Sequence, residues 1–109
     1  MASTPKILGQ ANPGAAVLTT IYTVPSATNV IVSTIFVANR SSVSTSFRIA
    51  IAISGAADSS EQYLYYNQGI PGEDTFTATV GVTLSANDRI RVYSTLATLS
   101  FNVVGTEIT

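Results

Sequence analysis

The segment FRIAIAI, residues 47–53, alternates large apolar residues with small or polar ones. Successive side chains of a β-strand point to opposite faces. That predicts Phe47, Ile49, Ile51 and Ile53 on one side and Arg48, Ala50 and Ala52 on the other. The large side packs on a core. The small side, with a single Arg, suits the close approach of a second layer or of another chain.

Similar segments flank it at short intervals. AVLTTIYTV (16–24) is rich in β-branched residues and stops at Pro25, and VIVSTIFVAN (30–39) reads as a long central strand buried on both faces. Downstream come QYLYYNQ (62–68), TFTATVGVTL (75–84), RIRVYST (89–95) and TLSFNVVG (98–105). In RIRVYST, Ile90 and Val92 oppose Arg89, Arg91 and Tyr93, while Gly81 marks a bulge or bend in its own strand. PSATN, NRSSVSTS, SGAADSS, GIPGED and SAND supply the turns. No window of helical period with caps interrupts them. Strands at this spacing predict an all-β fold, a single-domain antiparallel β-sandwich of jelly-roll or Greek-key type over residues 15–109.

Residues 1–14 are predicted to form a short extended N-terminal arm, because Pro5, Gly9, Pro13 and Gly14 discourage regular structure. Its apolar Ile7 and Leu8 would add a strand to a neighbouring sheet or anchor on another surface, unless the arm stays a disordered tail.

Composition narrows the function classes. The 109 residues make one domain, 46% hydrophobic and only 10% charged, against a usual charged share of about 25%. Ser and Thr supply roughly a quarter of the chain, so the polar surface is hydroxyl rather than ionic. A domain with so little ionic surface is expected to work covered by neighbours, as an assembly. Net charge is −1, and Lys6, Arg40, Arg48, Arg89 and Arg91 form no run, which argues against nucleic acid. No apolar run reaches the roughly 18 residues of a membrane span. The polar start MASTPKILGQANPG resembles no signal peptide, so assembly in a cytoplasm is expected.

The chemistry is thin. His, Cys and Trp are absent, so the usual nucleophile–base pairs cannot form, and a Ser–Lys dyad would have to use Lys6. Asp58, Glu61, Glu73, Asp74, Asp88 and Glu107 each fall in or beside a turn, where a carboxylate bonds the backbone. Paired carboxylates for glycoside hydrolysis, or calcium held by Asp58 with Glu61 or Glu73 with Asp74, lack the dense spacing such sites need. No catalytic residue, metal or cofactor is expected.

EQYLYYNQGIPGED (61–74) holds three of the five tyrosines. Strand alternation puts Tyr63 and Tyr65 on one face and Leu64 and Tyr66 on the other. The outward pair would fill a core rim, anchor a protein interface or stack on a sugar, and the absence of Trp counts against the sugar. Arg48, inside an apolar strand, is expected to pair with a carboxylate or to reach another subunit. The candidate partner contacts are Lys6, Ile7, Leu8, Gln10, Arg40, Arg48, Tyr63 and Tyr65.

In order, KILGQ, IYTVPSATNVIVSTIFVAN, FRIAI, YLYYNQGIPGEDTF, LSANDRIRVY and FNVVGTEI resemble small virion structural proteins of tailed bacteriophages, notably those infecting cyanobacteria and other aquatic bacteria. The resemblance covers nearly the whole chain. Tyr22, Val24 and Pro25 match the family's strand end, and Asn39 with Arg40 the pair after its long strand. Asp74 to Phe76 match a further short motif. Leu84, Asp88, Ile90 and Val92 match the next, and Gly105, Glu107 and Ile108 the closing one. The resemblance implies a structural role without chemistry. Such proteins decorate or cement capsids, often as trimers clamping capsomers, and others sit in the neck, tail or baseplate. A single domain with one arm and no fibre-like repeat favours the capsid exterior, with the major capsid protein and further copies of this chain as partners. A carbohydrate-binding module is the competing class.

Overall fold

Apolar residues at every second position leave each sheet with one face that water must not reach, and stacking two such faces hides both. The computed structural model describes residues 2–109; Met1, the first residue of the expected arm, lies outside them. The strands are β1 (Ser3–Ala11), β2 (Thr19–Thr23), β3 (Asn29–Asn39), β4 (Thr45–Ala52), β5 (Tyr63–Ile70), β6 (Thr75–Leu84), β7 (Arg89–Ser94) and β8 (Leu99–Ile108). Two short 3-10 turns, Ile53–Gly55 and Ser60–Gln62, lie in the β4–β5 loop.

One sheet has the order β1-β8-β3-β6 and the other β2-β7-β4-β5, with antiparallel neighbours. The chain changes sheet at every connection except β4 to β5, which is the jelly-roll form of the expected sandwich. The core lies between the sheets. Val30, Val32, Ile35, Val37, Phe101 and Val103 fill it from the first sheet, and Phe47, Ile49, Ile90 and Val92 from the second. Phe47 is fully buried, its ring centroid 5.3 Å from Phe76 and 6.1 Å from both Tyr65 and Phe101, in tilted or edge-on contacts that aromatic quadrupoles favour.

The alternation of FRIAIAI holds for Phe47, Ile49 and Ile51, but Ile53 has left the strand and is 70% exposed. Ala50 and Ala52 pair with the outward Arg91 and Arg89, yet both are fully buried. The cause is the chain's own 53–62 loop, which folds back over this sheet. Arg91 Nη1 donates to the Ala56 carbonyl (2.8 Å) and Gln62 Nε2 to that of Ala57 (2.9 Å), pinning it. The close-approaching layer that the small residues predicted is therefore intramolecular at Ala50 and Ala52.

Two other expectations are corrected. β3 is central but buried on one face only: Ile31 and Phe36 are 44% and 40% exposed, because none of the described residues covers their side. The segment read as an arm is largely β1, an edge strand paired with β8 from Ser3↔Ile108 to Ala11↔Phe101. An edge strand turns one row of N–H groups to solvent, so Pro5 is tolerated there. Gly9 is required, since a Cβ at that position would collide with the Ile21 carbonyl oxygen of β2. Gly81 does sit in a bulge, at φ +56°, where β6 slips against β3.

The open edge beside β1 and β2 is closed by side chains. Tyr22 Oη donates to Glu107 Oε2 (2.6 Å), and Lys6 Nζ pairs with Glu107 Oε1 (3.3 Å), so one carboxylate ties β1, β2 and β8 together. The Tyr22 bond holds Glu107 below its ordinary 4.5, while burial and the same carboxylate push the Tyr22 hydroxyl well above 10.0.

Candidate functional site

Two outward surfaces stand out, one on each sheet. On the second sheet the geometry starts from β5, whose register against β4 slips twice. Ile49 pairs with Tyr65 and Ala50 with Tyr63, so Leu64 is an extra residue. Phe47 pairs with Gln68, which leaves Tyr66 and Asn67 together opposite Arg48. Asn67 takes φ +54°, a left-handed conformation that Asn tolerates better than most residues.

These bulges re-sort the tyrosines. Tyr65 turns inward onto Phe47 and Phe76. Tyr63 and Tyr66 meet outside, edge to face, with centroids 5.1 Å apart at 88°. The pair that shares a face is thus Tyr63 with Tyr66, in place of Tyr63 with Tyr65. Arg48 lies with its guanidinium carbon 4.2 Å from the Tyr66 ring centroid and 4.3 Å from that of Tyr93, and its Nε donates to Asn67 Oδ1 (2.8 Å). The expected carboxylate partner of Arg48 is replaced by two aromatic faces and an amide.

A cleft of about 550 Å³ opens beside this stack, lined by Arg48, Asp58, Ser59, Ser60, Tyr63 and Tyr66. Tyr63 Oη donates to Asp58 Oδ1 (2.8 Å), and Ser59 Oγ to Glu61 Oε1. Partial burial and then the bond to Asp58 raise the Tyr63 hydroxyl above 10.0, with Arg48 pulling the other way, so near neutral pH it remains a donor. Among the described residues no three His, Cys, Asp or Glu side chains gather, so the Asp58–Glu61 and Glu73–Asp74 pairings gain no third ligand.

On the first sheet the outer surface is set by register. Cross-strand rows run Pro5–Thr106–Ile31–Thr83, then Ile7–Val104–Thr34–Thr79, then Gln10–Asn102–Phe36–Thr77, then Ser100–Ala38–Thr75. None of these residues is charged. Ile7 is 51% exposed, and Gln10 Nε2 bonds Asn102 Oδ1 (2.7 Å). Four strands about 4.8 Å apart and about nine residues long make a face on the order of 600 Å².

The eight candidate contacts fall into five places. Ile7 and Gln10 lie on the neutral face. Arg48 and Tyr63 line the cleft. Leu8 and Tyr65 pack against the core. Lys6 is tied to Glu107, and Arg40 Nη2 donates to Asn12 Oδ1 (2.7 Å) and the Ala97 carbonyl (3.2 Å), joining the end of β1 to the β7–β8 turn. Sequence reasoning missed Tyr66, Tyr93, Asp58 and the serines as one group. The available signal was an Asn directly after YLYY, beside a Ser-rich loop. Compared with known proteins, the chain matches no family model, no curated protein and no solved structure.

Proposed function

We propose that this chain is a non-enzymatic virion structural protein of a tailed bacteriophage, a decoration protein that lies on the outside of the major capsid protein lattice and stabilises the head. The observation that carries this reading is the charge-free outer face of β1-β8-β3-β6. Covering a charge costs several kcal/mol unless a partner pairs with it, roughly, whereas Thr, Ile and Phe can be covered without that penalty. At on the order of 600 Å² the face approaches the roughly 800 Å² that one partner contributes to a standard interface. The motif resemblance to small phage virion proteins supplies the partner and the homotrimeric state. With Ala50 and Ala52 under their own loop, subunit contacts fall to the neutral face and the strand edges.

Many copies on one lattice multiply a modest contact, because each bridges units that must separate together. The assignment places assembly in the host cytoplasm and the finished protein on the virion exterior. The test is a virus lacking this protein. Heads should form and package DNA, then release it at lower temperature than complete particles, and added protein should restore the difference. Heads that never form would refute the decoration role, and protein recovered only with purified tails would assign the neutral face to a neck, tail or baseplate neighbour instead.

A further inference from the structure

We infer that the cleft on the second sheet binds a carboxylate-bearing sugar, a uronic-acid unit of an acidic glycan. The inference rests on the cleft alone and stands apart from the capsid reading, since the cleft lies on the opposite side of the sandwich from the neutral face.

Arg48 carries it. Arg48 is half-buried, with its guanidinium against the rings of both Tyr66 and Tyr93 and its Nε committed to Asn67. The only ion pair among the described residues joins Lys6 to Glu107, so the terminal nitrogens of Arg48 meet no carboxylate of this chain. A fixed planar cation with no direct carboxylate partner matches a carboxylate through two parallel N–H bonds, and its pre-set geometry reduces the ordering cost of binding.

The rest of the lining selects among anions. Asp58 gives one oxygen to Tyr63, and Oδ2 makes no hydrogen bond among the described residues, so it can accept from a sugar hydroxyl. Ser60 adds a hydroxyl. Tyr66 is 60% exposed although Arg48 and Tyr63 both contact its ring, so its exposed ring carbons offer an apolar surface to a pyranose. With Arg48 and Asp58 as the only charged lining residues among those described, the lining has no net formal charge. A ligand with one carboxylate and several hydroxyls fits it, whereas a phosphate dianion would face Asp58 with a single cation to offset it. The volume lies within the usual range for small-molecule sites, about 300–1,000 Å³. Arg91 is committed to the loop carbonyls, so it holds the wall and leaves recognition to Arg48.

Calorimetric titration of the intact protein with trimers of galacturonate, glucuronate and mannuronate tests this, with their methyl esters and inorganic phosphate as separate arms. At least one free acid should bind, and its ester at least tenfold more weakly. Arg48→Gln and Tyr66→Ala should each weaken that acid at least tenfold, and Arg48→Lys, which keeps the charge but not the fork, should fall between. Thermal melting of each variant checks that the fold survives. Failure of all three acids, equal binding of acid and ester, phosphate binding as tight as the acid, or acid binding unchanged in a folded Arg48→Gln would each overturn the inference. The acid–ester comparison needs no variant, so the test holds even if a substitution unfolds the domain.

Discussion

The outer face of β1-β8-β3-β6 presents Ile7, Ile31, Phe36 and a file of threonines, whereas that of β2-β7-β4-β5 presents Arg48, Arg89, Arg91, Tyr66 and Tyr93. Both arise from the same alternation around one core. They differ in what each can be covered by. The neutral face loses little electrostatic free energy when another surface excludes its water. The arginine face holds charges that need water, ring faces or counterions, and the chain already shields part of it with the 53–62 loop. Under the proposed function the neutral face is the docking side and the arginine face the open side.

Some substitutions should act on both faces and others on one alone. Phe47→Ala should hurt both, because its ring supports four strands' worth of packing, and stability should fall by about 3–5 kcal/mol. Denaturant unfolding measures it; a loss under about 1 kcal/mol would show that the two sheets do not depend on this shared centre. Arg91→Ala should act on the wet face alone. Its bonds to Ala56 and Gly55 hold the loop, so about 1–3 kcal/mol should be lost and residues 53–62 should become the first site of limited proteolysis.

Much of this was legible in the sequence, and the misses have a common cause. The strands read at 47–53 and 75–84 were legible because alternation is local, and the turns because their residues are. The motif positions Tyr22, Asn39, Asp88 and Glu107 turn out to be joints: Asp88 accepts from the backbone N–H of Ser54 and Ser85, and Asn39 Nδ2 donates to the Val43 and Pro71 carbonyls. What alternation could not foresee was non-local. The β5 bulges depend on register against β4, and they exchange Tyr65 for Tyr66 in the cleft. β1 forms against its own proline and glycine because β8 offers it an edge. Ile53 leaves the strand as the first residue of the loop that covers Ala50 and Ala52.

At the edge joining the two sheets the expected effect is smaller. Tyr22→Phe should cost about 1 kcal/mol near neutral pH. Glu107 is lowered in the folded state, so its contribution is present above 4.5 and is lost as pH falls through its folded value. Tyr22 is raised, so its contribution is present below 10.0 and is lost as pH climbs above it. Tyr22→Phe should therefore flatten both limbs of the stability–pH curve, and Glu107→Gln chiefly the acid limb. Unchanged acid limbs in both variants would remove Glu107 from the account.

Charges placed on the neutral face should change stability least and binding most. Thr77→Lys with Thr79→Lys should shift folding by only about 0.5 kcal/mol per site, since both side chains point to solvent. The direct test is co-sedimentation of this double variant, of Arg48→Gln and of the unaltered protein with heads lacking it. The double variant should lose head binding by more than tenfold while Arg48→Gln binds as the unaltered protein does. Retained binding by the double variant, or its loss in a folded Arg48→Gln, would contradict the assignment of the neutral face as the docking side.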